Sequence, residues 1–121
     1  MIYDENNIFA KILRGEIPCN KIYEDDFVLS FHDKNPQKKM HALVIPKGKY
    51  IDLDDFSLNA SPDEMVGLIK GINKVAKKLG ISTEIGKGYR TLANISDHGG
   101  QEVLHLHFHL FGGEDVGRMV E

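Results

Sequence analysis

A chain of 121 residues with formal charge −3 and an ordinary apolar share is sized for one domain with a modest core. Its 15 Lys and Arg stand against 18 Asp and Glu, so no basic excess marks a nucleic-acid-coating surface. No apolar run approaches a membrane span, and the acidic start Met1-Ile2-Tyr3-Asp4-Glu5-Asn6-Asn7 lacks the regions of a signal peptide. One cysteine, Cys19, forms neither an internal disulfide nor a Cys-x-x-Cys zinc pair. It reads as a small loop residue, and a reducing cytoplasm is the expected location.

Asn6-Asn7 can cap a short helix carrying Ile8, Phe9, Ile12 and Leu13 on one stripe, ended by Gly15. Lys21–Glu24 and Phe27–Asp33 read as two strands joined at Asp25-Asp26. In the second, Phe27, Leu29 and Phe31 face one way, and Val28, Ser30 and His32 the other. Asn35-Pro36 breaks it. His41–Ile45 is a third strand, stopped by Pro46, and Lys47–Ala60 reads as loop with at most one helical turn. Ser61-Pro62-Asp63-Glu64 is a capping box with proline at the first helical position. Met65, Leu68, Ile69, Ile72, Val75, Ala76 and Leu79 continue at helical spacing until Gly80. A fourth strand is expected over Gly88–Ile95, then a turn at Ser96-Asp97-His98-Gly99-Gly100. Several strands with one long helix indicate an α+β fold with an antiparallel sheet. The segment from Gly112 to Glu121 carries little apolar pattern and reads as a tail that wraps a neighbour or frays.

The segment His105-Leu106-His107-Phe108-His109-Leu110-Phe111 holds half of the six histidines. As a strand it puts three imidazoles on one face, roughly 6.5–7 Å apart, and Leu106, Phe108 and Leu110 on the other. Three readings follow. The histidines can be a solvated strand face. They can be metal ligands, with a third donor from His41, His98 or Glu102. Or one imidazole can be a nucleophile toward phosphorus, its second nitrogen held by a backbone carbonyl. That chemistry needs donors around the phosphate oxygens. None of the three arginines, Arg14, Arg90 and Arg118, lies in this strand or its preceding turn. Flanking histidines, Asn94, Gln101 and the backbone amides after Gly99-Gly100 are the available donors. No P-loop or Gly-x-Gly-x-x-Gly is present.

The run matches the alternating signature of the histidine triad superfamily. Further segments fall in that family's order: Ile8-Phe9-x-x-Ile12, Glu16-Ile17-Pro18, Phe31-His32-Asp33, Asn35-Pro36-Gln37, His41 to Pro46, Gly88-Tyr89-Arg90, Asn94 and Gly99 to Val103. The chain most resembles the nucleotide-binding branch, the nucleoside phosphoramidases, in its bacterial form. The resemblance implies a five-stranded antiparallel sheet with a short N-terminal helix and one long helix, two copies pairing into a ten-stranded sheet. It implies a triad domain over 1–113 and a C-terminal tail over 114–121. The implied activity is hydrolysis of purine nucleoside phosphoramidates, without metal or cofactor, through a nucleotidyl-histidine. The implied partners are a purine nucleoside monophosphate or phosphoramidate and a second copy of the chain, with neither nucleic acid nor membrane. His107 would attack, His109 would contact the phosphate, and His105 and His41 would orient the attacking ring. Asp33 would bind the ribose hydroxyls; Asn94, Gly100, Gln101 and Glu102 would line the phosphate site. Ile8, Phe9, Phe31 and Leu43 resemble a base pocket, flanked by His32, with Lys34 at its rim. A dinucleoside polyphosphate hydrolase of the same superfamily, and a nucleotide- or metal-binding regulatory module, are the alternatives. The chain departs from animal members at Glu102, usually Ser there, at Lys34, commonly Ile, and in a short tail without Trp.

Overall fold

The Asn7 side chain accepts the amide of Ala10 at 2.9 Å and so caps helix α1 (Ile8–Leu13), whose inward residues are Phe9, Ala10 and Ile12. The computed structural model describes residues 2–119; Met1 and the last two positions of the expected tail lie outside them. Strands β1 (Lys21–Glu24), β2 (Val28–His32) and β3 (Met40–Pro46) follow, then helices α2 (Leu53–Asn59) and α3 (Pro62–Lys78), then β4 (Arg90–Leu92) and β5 (Phe108–Gly112). The strands form one five-stranded sheet in the order β1-β2-β3-β5-β4, every neighbouring pair antiparallel.

The period-2 rule assigns each side chain to a face, and the two faces bury different things. Val28, Ala42, Val44 and Leu110 join Leu106 in a core beneath α3, against Leu68, Ile72, Val75 and Ala76. Leu29, Phe31, Leu43 and Ile45 point the other way and pack with Phe9 and Ile12 of α1. Strand β3 is central and covered on both faces, which is why its residues from His41 to Pro46 are buried without alternation. The capping box at Ser61 and Glu64 forms as expected, with reciprocal bonds of 3.1 Å. Gly71 lets α3 approach the sheet closely, since a β-carbon there would meet Val28 Cγ2 at 2.8 Å.

Several expectations change. Residues 53–59 form a two-turn helix, α2, capped by Asp52. Only Phe56 of that helix is buried, so it offers no periodic stripe to read. Strand β4 spans three residues, because the chain leaves the sheet after Leu92 for the turn that follows. Phe27 lies outside β2; its ring packs on Gly67 of α3, away from the face that carries Leu29 and Phe31. The described part of the tail is held to its own chain. Glu114 accepts the amide of Lys39, and the Gly117 carbonyl accepts from Arg90.

Gly71→Leu is expected to lower unfolding free energy by about 2 kcal/mol or more through overpacking against Val28, read as a lower urea midpoint with an unchanged slope.

Candidate active site

Three strands and one irregular segment carry the candidate residues on the α1 face of the sheet. Across β2, β3, β5 and β4 the register aligns Phe31 with Leu43, Leu43 with His109, and His109 with Leu92. The next row pairs His41 with Phe111. The histidine segment is not one continuous strand, for β5 begins at Phe108. Ahead of it, the Leu106 amide bonds to the Tyr50 carbonyl at 2.8 Å, tying the segment to a loop outside the sheet. Alternation still holds: Leu106 enters the α3 core, while His107 faces the cleft.

The three imidazoles do not all face the cleft, contrary to the simple strand picture. His105 is fully buried and lines neither lobe of the cleft. Its Nε2 lies 2.8 Å from the Pro46 carbonyl and its Nδ1 lies 2.6 Å from the Tyr3 hydroxyl. A carbonyl only accepts, so Nε2 of His105 carries the proton and Nδ1 accepts from Tyr3. The same argument applies to His107. Its Nδ1 lies 2.7 Å from the His105 carbonyl and must donate, which leaves Nε2 as a bare lone pair.

His41 and His109 complete a second chain of fixed protons. The Gln37 amide donates to Nδ1 of His41 at 3.1 Å, so a neutral His41 holds its proton on Nε2. That proton is directed at Nδ1 of His109, 2.8 Å away, with Asp33 Oδ2 farther off at 3.4 Å. A neutral His109 therefore carries its proton on Nε2. His41 thus touches His107 only by way of His109, whose ring centroid lies 5.1 Å from that of His107. Phe111 stacks parallel to His109 with an interplanar angle of 2° and holds that plane.

Burial keeps these rings neutral, because a charged imidazole loses hydration there. It pushes His105 down to about 4, and a neighbouring Pro46 carbonyl only partly opposes that. Burial, followed by the neighbouring His107 and His41, brings His109 down to about 4 as well. His107 and His41 are lowered by burial too, with Asp33 pulling each the other way.

The cleft has two lobes that meet at Asp33, Glu102, His107 and His109. The apolar lobe, about 660 Å³, brings together Ile8, Phe9, Phe31, His32, Lys34 and Leu43 as expected. The polar lobe, about 380 Å³, holds His41, Asn94 and Gly100. Gly100 adopts φ 74°, and a side chain on Gly99 would collide with the Ile95 backbone, so this turn requires both glycines. Gln101 does not reach either lobe. Its Nε2 donates to the carbonyls of Ile51 at 2.6 Å and Val103 at 3.0 Å, and its Oε1 accepts from the Ser96 amide. It is a strut for the turn. His98 stays exposed on that turn.

Sequence reasoning missed Cys19 and Asn20 in the apolar lobe, and Leu92 and Phe111 in the polar one. Asn35 and Gln37 also line the polar lobe; their motif reads in the sequence only as a strand break and a family segment, without a site role. A larger cavity, about 980 Å³, opens between residues 86–91 and the start of the tail, and no histidine lines it. Asp33, His41 and His109 each bring one possible metal-ligand atom to within 4.8 Å of the others. An ion there would break the 2.8 Å bond between the two rings.

A sequence model of the HIT domain matches residues 14–116. The chain belongs to the HIT domain family. An uncharacterized 13.2 kDa HIT-like protein of Azospirillum brasilense is 50% identical over 118 residues, covering 98% of this chain and 94% of that protein. A purine nucleoside phosphoramidase of Escherichia coli K12 is 41% identical over 117 residues, covering 96% and 94%. Among solved structures, a HIT family hydrolase from Clostridium thermocellum superposes with a TM-score of 0.84 at 39% identity, covering 98% of this chain and 99% of that one. These relatives agree with the α+β sheet and with a hydrolase site in this HIT domain.

The buried neutral imidazoles make stability fall in acid. An unfolded His takes up its proton near pH 6.5, whereas His105 in the fold does so only near 4. Between those values the unfolded chain binds more protons, so unfolding free energy drops as pH falls through this window and levels below it. Denaturant titrations from pH 7 to 4 are expected to show that slope. It should be shallower in His105→Gln, which lacks the ring.

Proposed function

We propose that this protein hydrolyses purine nucleoside phosphoramidates through a nucleotidyl-histidine formed on His107. One observation carries the reading. Nδ1 of His107 is committed to the His105 carbonyl, and the ring lines the junction of the two lobes, leaving the Nε2 lone pair for attack.

The apolar lobe suits a purine base, with Phe9, Phe31 and Leu43 as walls. Asp33 accepts the Asn35 amide on Oδ1 and retains capacity for ribose hydroxyls. The α-phosphorus then sits at the junction. Attack by Nε2 of His107 forms the N–P bond as the P–N bond to the amine breaks. The Nε2–H of His109 donates a hydrogen bond to a phosphate oxygen, and the leaving nitrogen departs as the amine with a proton taken from solvent in the polar lobe. Water next attacks the nucleotidyl-histidine, gives up a proton to solvent and releases the nucleoside monophosphate, restoring neutral His107. A neutral His107 begins the cycle, and its second nitrogen remains bonded to a carbonyl as positive charge develops on the ring.

The polar lobe bears Asp33 and Glu102 and no Lys or Arg among its lining residues. That charge favours an amine leaving group over the phosphates of a second nucleotide, and it ranks a dinucleoside polyphosphate hydrolase second. The proposal includes a cytoplasmic homodimer. Strand β4 is a sheet edge able to pair with a second copy, and Val66 and Ile69 stand exposed on α3 at 52% and 65%. No helix among the described residues is long and apolar enough to cross a membrane.

His107→Ala is expected to lose turnover of an adenosine phosphoramidate by about 10³-fold or more, yet still bind adenosine monophosphate. Mass spectrometry of the quenched wild type should place an adenylyl group on His107. Full activity in the variant would refute the assignment, and faster turnover of a diadenosine polyphosphate than of the phosphoramidate would favour the second reading.

Because burial lowers His107, the ring stays a nucleophile as pH drops below 6.5. The acid limb of kcat/KM is expected below that value; a midpoint at or above 6.5 would contradict a buried neutral attacker.

A further inference from the structure

Outside the cleft, one polar contact has no role in the reading above. Tyr3 precedes the first helix, yet its hydroxyl lies 2.6 Å from Nδ1 of His105, across a separation of 102 residues. The rings meet edge to face, with centroids 5.6 Å apart and an interplanar angle of 72°. Burial raises the Tyr3 hydroxyl above its ordinary value and keeps it protonated, as a donor must be.

His105 offers two polar ring atoms in a fully buried setting, and each has one partner. The Pro46 carbonyl takes the Nε2 proton, so the lone pair on Nδ1 depends on Tyr3. Without that hydroxyl, Nδ1 is a buried acceptor with no donor. The ring can recover a bond there only by turning, and that gives up the bond to Pro46. His105 also supplies the carbonyl that receives the His107 proton at 2.7 Å. Movement of the His105 ring within its packing thus reaches the carbonyl that aims His107. Phe9 stands edge-on to both imidazoles, at 6.4 Å from His105 and 5.0 Å from His107, so neither ring shifts alone.

We propose that Tyr3 is a positioning residue for the reaction: its hydroxyl holds the plane of His105, whose tautomer the Pro46 carbonyl sets, and through the His105 carbonyl it holds Nδ1–H of His107 so that Nε2 faces the cleft. This rests on His107 being the nucleophile. Tyr3 touches neither substrate nor reacting atoms; it acts through His105.

Two variants and two readouts test it. Tyr3→Phe keeps the edge-on ring and removes only the hydroxyl, and Tyr3→Ala removes both. With an adenosine phosphoramidate, kcat is expected to fall about tenfold in Tyr3→Phe with KM within about twofold. A packing role alone would spare Tyr3→Phe and affect only Tyr3→Ala. Long-range proton–nitrogen NMR of the imidazoles in the ligand-free protein reads the protonation and hydrogen bonding of each ring nitrogen. His105 should stay protonated on Nε2 and His107 on Nδ1 in both proteins, whereas in Tyr3→Phe the Nδ1 signal of His105 should move to that of an unbonded acceptor and the His107 nitrogen signals should move with it. Wild-type His107 signals in Tyr3→Phe overturn the proposal, whatever kcat does, and so does wild-type kcat in that variant. Should the wild type fail to turn over the phosphoramidate, the assigned reaction falls, and the NMR readout still decides whether Tyr3 sets the His105–His107 arrangement.

Discussion

The bond from Nδ1 of His107 to the His105 carbonyl converts an ambidentate ring into a directed one. An imidazole free to exchange tautomers presents either nitrogen, so some of its encounters with a phosphorus centre would lead with a proton. Here a carbonyl settles the matter, because it has nothing to donate. The same logic runs outward in both directions. The Pro46 carbonyl settles His105, whose other nitrogen accepts from Tyr3, and Gln37 settles His41, which settles His109. Four neutral imidazoles thereby hold four protons in known places. Burial makes the scheme possible, since a protonated ring donates from both nitrogens and so loses any bond it accepts, and at His107 the free lone pair.

The sheet supplies this burial as a by-product of folding. Strands β3 and β5 carry Ala42, Val44 and Leu110 to one face and His41, Leu43 and His109 to the other. The helix α3 core fixes the strands, and the strands fix the rings. The turn that closes the polar lobe is held separately, by the Gln101 side chain reaching across to the Ile51 carbonyl.

Much of this was legible from the chain. Caps at Asn7 and Ser61 place α1 and α3, and alternation at 41–45 and 106–110 assigns the faces. Local chemistry decides those features, so local sequence reveals them. Helix α2 was hidden because Phe56 is its one buried residue, and the length of β4 because its end is set by the following turn. The placement of Gln101 was misread because an amide near a phosphate site serves equally well as ligand or strut. Tyr3 gave no signal at all: it sits in a polar, acidic stretch, and its partner is named only by the tertiary fold. The residues of the histidine run look alike on their own, so separate roles for them came only from the family resemblance.

The Tyr3 contact spans almost the full sequence, but the relevant distance is shorter. Once Phe9 has docked against His105 and His107, Tyr3 is a few residues from an anchored point. The salt bridge between Glu5 and Lys49, 2.9 Å long, secures the stretch between. The start of the chain then behaves as a tethered ligand at high effective concentration, which a single weak hydroxyl bond suffices to seat. A tether of this kind can also detach without unfolding the sheet. Order in the N-terminal arm and order in the His107 ring become two readings of one local equilibrium, separable from the stability of the domain.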